Sequence, residues 1–322
     1  MKKSALLFIV SILSGFLYSQ VLTDPFQSYD LSIECEGGKI FGTLLVPNAK
    51  SPFPVALLIS GSGPTDRDGN QPNMKNNSLR YLAENLARQG IATFRYDKRL
   101  IGQSKTGQRE SDIRFEDYID DAKQWILKLK QDARFSKVIV IGHSEGSLIG
   151  MIAAGDSKAD RFISIAGVFK PADRVILEQT KGLPTHLHKE MIAILDSLRN
   201  GKMVSHVNPN LAALFRPSVQ PYMISWMKYD PSKEIQQLRI PILIIQGTAD
   251  IQVGVDHARQ LAASAPRAEL KIIENMNHVL KIVEGDRNKN VATYMNPNLP
   301  ISDELVKAIT DFIKNNGSRY IH

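Results

Sequence analysis

The chain predicts an α/β fold, a mostly parallel sheet with helices on both faces. Three observations predict it. Continuously apolar, β-branched runs at 54–60, 137–141 and 240–246 have the character of strands buried on both sides. Helical patterns alternate with these runs, and such crossovers are what parallel pairing requires. One strand–helix junction carries Gly142-His143-Ser144-Glu145-Gly146, a sharp turn that lifts a serine hydroxyl above the carboxyl edge of a sheet. With 43% apolar and 23% charged residues in 322, and no low-complexity tract, the composition supports a substantial core.

Taken in order, residues 1–20 stand apart from that core. Met1-Lys2-Lys3 is a short basic start, residues 5–17 are apolar apart from Ser and Gly, and cleavage is expected around Gln20. This is the pattern of a secretory signal peptide. The apolar run is short for a membrane span, and no cysteine follows closely enough to take a lipid. The expectation is an exported protein, periplasmic or extracellular, with no stable membrane anchor after signal removal and a folded domain over 21–322. Cys35 is the only cysteine, so the fold has no internal disulfide; it reads as a strand residue.

The segments 29–36 and 39–47, separated by Gly37-Gly38, read as a hairpin at the antiparallel edge of the sheet. The strand at 54–60 ends in the glycine-rich loop Gly61-Ser62-Gly63-Pro64. A helix over 78–89 stops at Gly90, a strand follows at 91–96, then a helix over 115–131 and the strand before Ser144. Gly146, Gly150 and Ala154 recur at helical spacing, which lets the next helix lie close to the sheet. Further strands fall at 162–166, 240–246 and 269–273, and a closing helix begins at Ser302 with Asp303 and Glu304 in its first turn. Between about 168 and 238 there is no strong strand, only helical pieces such as 188–199. That is too long for a connection, so it is expected to form a helical cap over the carboxyl edge of the sheet.

A serine hydroxyl attacks only when a base takes its proton, and the base is held by a carboxylate. In an open parallel sheet such groups gather at the carboxyl ends of strands. Asp250 follows one strand in Gly247-Thr248-Ala249-Asp250, and His278 follows the next in Asn275-Met276-Asn277-His278. Ser144, Asp250, His278 is the chain order associated with this elbow. Asp256 and His257 fall on the helix beyond the Asp250 loop, His186, His188 and His206 within the cap, and His143 reads as a packing residue of the elbow. Donors for a developing oxyanion are expected at the N–H of Glu145 and in the glycine-rich loop, with Ser62 the first choice and Gly63 the second.

Other charged clusters read as structural. Asp66-Arg67-Asp68-Gly69-Asn70 lacks the ligand spacing and terminal glutamate of a calcium loop, and suits Asx turns and ion pairs. Asp97-Lys98-Arg99 follows a strand, where its charges brace neighbouring loops. No Cys/His metal set and no Walker or dinucleotide glycine pattern occurs, so no metal or other cofactor is expected. The net charge of +7, two units of it from Lys2 and Lys3, is scattered among acids, and no nucleic-acid partner is expected.

Five motifs in order, 61–70, Tyr96-Asp97-Lys98-Arg99, Gly142 to Gly146, Gly247 to Asp250 and Asn277-His278, resemble bacterial esterase-like members of the α/β-hydrolase superfamily. The resemblance spans about 29–315. It implies an α/β-hydrolase fold with an eight-stranded sheet, a cap after the sixth strand, and carboxylic ester hydrolysis through an acyl-enzyme. One departure is Leu100, where such proteins usually carry Gly after the arginine. The expected function is a serine hydrolase acting on a small-molecule ester, with an apolar acyl group suggested by Leu211, Leu214, Phe215, Met223, Trp226 and Met227. The same side chains would also serve to anchor the cap. A peptidase or amidase on the same triad is the near alternative, and a non-catalytic ligand-binding member of the fold is a second.

Overall fold

The computed structural model describes residues 24–315; the signal-like segment 1–20 lies outside the described residues. Eight strands form one sheet in the order β1-β2-β4-β3-β5-β6-β7-β8. They are β1 (Phe26–Cys35), β2 (Gly38–Pro47), β3 (Phe53–Ile59), β4 (Ala92–Tyr96), β5 (Phe135–His143), β6 (Arg161–Ile165), β7 (Ile242–Gly247) and β8 (Glu269–Ile273). The hairpin β1–β2 is antiparallel and β2 pairs antiparallel with β4; every other pair is parallel. The sheet is therefore mostly parallel, and its strands begin and end within three residues of where the sequence predicts them. At 240–246 the strand starts late, at Ile242. Pro241 has no N–H to donate to a ladder, and its carbonyl instead accepts from Phe162 N at 3.0 Å.

The helices are α1 (Ser78–Arg88), α2 (Phe115–Lys130), α3 (Glu145–Asp156), α4 (Ala172–Gln179), α5 (Thr185–Arg199), α6 (Ala212–Phe215), α7 (Gln220–Trp226), α8 (Pro231–Gln237), α9 (Val255–Ser264), α10 (Arg287–Thr293) and α11 (Asp303–Lys314). Because successive strand side chains point to opposite faces, each apolar run feeds two cores. Val55, Leu57, Val140 and Ile244 join one core with residues of α2, α3 and α9. Ala56, Leu58, Ile141 and Ile245 join the other with Leu82 and Leu86 of α1 and Leu305, Ile309 and Phe312 of α11. Burial on both faces explains why these strands read as unbroken apolar runs rather than as alternating ones.

Helices α4 to α8 fill the interval between β6 and β7. Most of them close around a third core of their own, built on Ile176, Leu187, Met191, Leu195, Leu211, Phe215 and Met223. Only α5 is long enough for its periodicity to show in sequence; α6 and α7 have 4 and 7 residues.

Candidate active site

Ser144 stands between β5 and α3 with φ 55° and ψ −122°, a conformation an L-residue holds only when its surroundings impose it. The surroundings are two glycines in close approach. A Cβ on Gly142 would lie 2.2 Å from Gly146 O, and a Cβ on Gly146 would lie 2.4 Å from Ile59 O. With both absent, the start of α3 presses against the end of β3. Ser144 N donates to Ile165 O at 2.9 Å, which ties the turn to the neighbouring strand β6. The hydroxyl so presented stands over the amino-terminal turn of α3, where the Glu145 N–H lies.

Asp250 follows β7 and His278 follows β8, and the fold brings them together. His278 Nδ1 lies 2.8 Å from Asp250 Oδ2. Since a carboxylate only accepts, Nδ1 carries the proton and Nε2 is left as the accepting nitrogen. Asp250 is held on both oxygens: Gln252 N and Val253 N donate to Oδ1 at 2.8 and 2.9 Å, and Gln246 Nε2 donates to Oδ2 at 2.9 Å. Burial pushes the Asp250 carboxyl up, but the His278 ring and these backbone donors outweigh it and hold the group below its ordinary value.

Three further residues hold this pair: His143, expected from the sequence only to pack in the elbow, and Gln246 and Asn277, to which the sequence assigned no role. His143 Nε2 donates to the carbonyl of His278 at 2.8 Å, with the two rings 4.8 Å apart. Burial lowers the His143 pKa to about 3, so this ring stays neutral and serves as a fixed donor. Gln246 grips Asp250 and also Val253 O. Asn277 is 1% exposed; its amide donates to Asn290 Oδ1 and Thr293 Oγ1 at 3.0 and 2.7 Å and its oxygen accepts from Lys281 N. Asn290 in turn donates to Ala249 O at 2.7 Å, so α10 locks the two loops together. The sequence signal for these residues was position alone: His143 and Asn277 lie within quoted motifs, and Gln246 directly precedes one.

Ser144 and His278 line one cavity of about 50 Å³, together with Ser62 and His143. No hydrogen bond joins Ser144 Oγ to His278 in this arrangement; such bonds commonly tighten only around substrate. A second cavity of about 420 Å³ adjoins it and shares Ser62 and Gln71. Glu145 and Gly63 line that larger space, as do Ile113, Tyr118, Leu214, Tyr222, Met223 and Trp226. Of the two loop candidates, Ser62 alone borders both cavities; Gly63 borders the larger one. The apolar residues singled out between 211 and 227 divide: Leu211, Phe215 and Met227 pack in or against the third core, Leu214 lines the cavity, and Met223 and Trp226 do both. Another 420 Å³ hollow, beside β8 and α11, is lined by Glu269, Lys271, Glu304, Lys307 and Asp311 and lacks any of these groups.

The remaining candidates lie elsewhere. Asp256 sits on α9 facing Arg259, and His257 bonds Phe169 N and Glu178. His186 and His188 are on α5, and His206 lies before α6. In the 66–70 loop, Asp66 Oδ1 accepts from Asp68 N and Asn70 N at 2.9 Å, while Arg67 pairs with Asp97 at 2.7 Å. Leu100 adopts φ 68°, the left-handed conformation in which glycine costs least. The loop thus keeps a glycine-like turn while placing a leucine side chain against the larger cavity.

The family model described as serine aminopeptidase, S33, matches residues 74–284, an interval that includes Ser144, Asp250 and His278. Esterase EstD of Thermotoga maritima is 29% identical over 283 residues, covering 84% of this chain and 64% of that protein. The chain therefore spans less than two thirds of that relative's length. Among solved structures, Est1E from Butyrivibrio proteoclasticus superposes with a TM-score of 0.57 at 17% identity, over 89% of this chain and 99% of that one. The Pyrococcus furiosus esterase Pf2001 gives 0.56 at 16% identity, over 90% and 92%. At such identities the structural likeness speaks for the α/β-hydrolase fold, and the family match goes further: this chain belongs to the serine aminopeptidase S33 family of α/β hydrolases.

Proposed function

We propose that this protein is an exported serine hydrolase that cleaves carboxylic esters through an acyl-enzyme. The observation that carries the reading is the 2.8 Å His278–Asp250 bond, with Ser144 and His278 on one cavity. In the proposed cycle, His278 Nε2 takes the Ser144 proton as Oγ adds to the ester carbonyl. The oxyanion is met by the N–H groups of Glu145 and Ser62, and Asp250 stabilises the imidazolium. His278 then gives the proton to the departing alkoxide, which leaves as alcohol. A water adds to the acyl-enzyme by the same route, releasing the carboxylic acid and restoring Ser144.

Two observations support an ester with an apolar acyl part over an aminopeptidase substrate. The larger cavity is walled by Tyr118, Tyr222, Trp226 and Met223. An aminopeptidase needs a carboxylate for the substrate ammonium, yet both acids lining this cavity are already paired, Glu145 with Lys98 and Glu110 with Arg216. The name of the Thermotoga relative points the same way. The family's description favours the peptidase reading, so the test sets p-nitrophenyl esters of rising acyl length against amino-acid amides. Expected are faster turnover of the esters and fluorophosphonate labelling that disappears in Ser144→Ala. Preferential amide cleavage would replace the ester reading, and an unlabelled wild type would leave a non-catalytic binding protein.

A further inference from the structure

Two charges are sealed beside the elbow without a part in the triad. Lys98 and Glu145 are 1% and 3% exposed, and Lys98 Nζ lies 3.1 Å from Glu145 Oε2. Stability is a weak reason for such a pair, because removing two charges from water offsets most of their attraction and apolar side chains would fit at less cost. The other bonds suggest a purpose. Lys98 Nζ also donates to Gly61 O at 2.7 Å, and Tyr222 on α7 donates to Glu145 Oε1 at 2.6 Å.

The carbonyl of Gly61 and the N–H of Ser62 belong to the same peptide group. That group is trans and planar, so its C=O and N–H point in opposite directions. An ammonium seated on the carbonyl therefore fixes which way the Ser62 N–H points. It also draws electron density toward the oxygen and strengthens the N–H as a donor. The plane lies directly against the nucleophile, since a Cβ on Gly61 would be 3.1 Å from Ser144 Cβ. Thr65 Oγ1 holds the following carbonyl, that of Ser62, at 2.8 Å, and leaves the Gly61–Ser62 plane to Lys98. The topology makes the bond possible: β4, β3 and β5 are neighbours, and Lys98, Gly61 and Glu145 each follow one of them.

We infer that Lys98 is a positioning residue for the oxyanion site: it orients the Gly61–Ser62 peptide and, through Glu145, ties it to the residue bearing the second donor. The inference rests on the reading of Ser144 as nucleophile. Its test compares Lys98→Met/Glu145→Gln with Glu145→Gln alone; the double variant leaves no unpaired buried charge, and a thermal melt verifies that it folds. On p-nitrophenyl butyrate the double variant is expected to lower kcat by about 10- to 100-fold, less than the roughly 10²- to 10³-fold cost of removing an oxyanion donor outright, with KM moved less than about twofold. Affinity for a trifluoromethyl ketone, which forms a tetrahedral adduct on the serine, falls by the same factor. Lys98→Gln/Glu145→Gln, which restores a donor for Gly61 O, recovers part of the loss. Equal kcat and equal ketone affinity in the double variant and Glu145→Gln would overturn the role of Lys98 while Ser144 is still labelled by fluorophosphonate. Absence of labelling in the wild type, or full turnover by Ser144→Ala, would overturn the nucleophile reading and this inference with it.

Discussion

The sheet body and the helices between β6 and β7 are held together in different ways. In the body, apolar side chains alternate into two continuous cores, and the candidate triad sits where backbone strands end. The inserted helices have a core of their own, and they meet the body through polar bonds, through aromatic contacts of Phe115 and Tyr118 with Tyr222, Trp226 and Tyr229, and through Ile235 of α8, which belongs to one of the body cores. Tyr222 bonds Glu145, Ser225 Oγ accepts from Phe115 N at 2.8 Å, and Arg216 and Ser218 bond Glu110. Phe115 stacks on Trp226 with ring centroids 5.9 Å apart. The lesson is a division of labour. Groups whose geometry must hold to a fraction of an ångström stand on the continuous core, whereas the larger cavity takes its walls from both regions, Ile113 and Tyr118 from the body and Tyr222, Met223 and Trp226 from the inserted layer.

The largest effect is expected where the body is broken. Asp250→Asn removes the carboxylate that keeps the His278 proton on Nδ1, and kcat for a short ester should fall about 10⁴-fold with little change in KM. Steady-state kinetics check it; a loss under tenfold would mean that Asp250 does not orient His278. An intermediate effect is expected in the inserted layer. Trp226→Ala removes one wall of the larger cavity, so kcat/KM for long acyl esters should drop about tenfold while acetyl ester turnover stays within about threefold. An equal loss on both substrates would show that the two regions are not separable in this way.

The smallest effect concerns the tie between them. The hydrogen bond from Arg216 holds the Glu110 carboxyl below its ordinary value of 4.5, against a smaller push from burial. A lowered carboxyl pKa stabilises the fold above the unfolded value and loses that contribution as pH falls through the folded one. Both side chains are about two fifths exposed, which limits the pair to about 0.5 kcal/mol. Glu110→Gln should therefore melt about 1–2 °C lower than wild type at pH 7, and the gap should close as the pH falls below the ordinary value and through the lowered folded one. Melting curves across pH test this, and a gap that widens in acid would contradict the assignment.

Much of the body was legible because its information is local. The run 54–60 announces β3, and glycine, serine and glycine at alternate positions announce the turn at Ser144. Asp250 and His278 were reachable because each comes within a few residues of a readable strand end. His143 as the donor to the His278 carbonyl was not legible: its partner is 135 residues away, and a histidine in the elbow has no pattern that distinguishes a brace from packing. Helices α6 and α7 were illegible for another reason, since pieces of 4 and 7 residues contain too few turns to show a period.

By itself the sequence determined the alternation of strands and helices, the strained serine turn and the chain order of Ser144, Asp250 and His278. These depend on repeats of two and on helical spacing, which neighbouring residues express. Tertiary structure alone decided that β4 would lie between β2 and β3, and hence that Lys98, Gly61 and Glu145 would meet. It decided the cavity that α7 walls, and the left-handed turn that Leu100 accepts. The physical reason is common to all of these. They are contacts across sheet neighbours and between layers, and their energy belongs to pairs of residues that no local pattern connects.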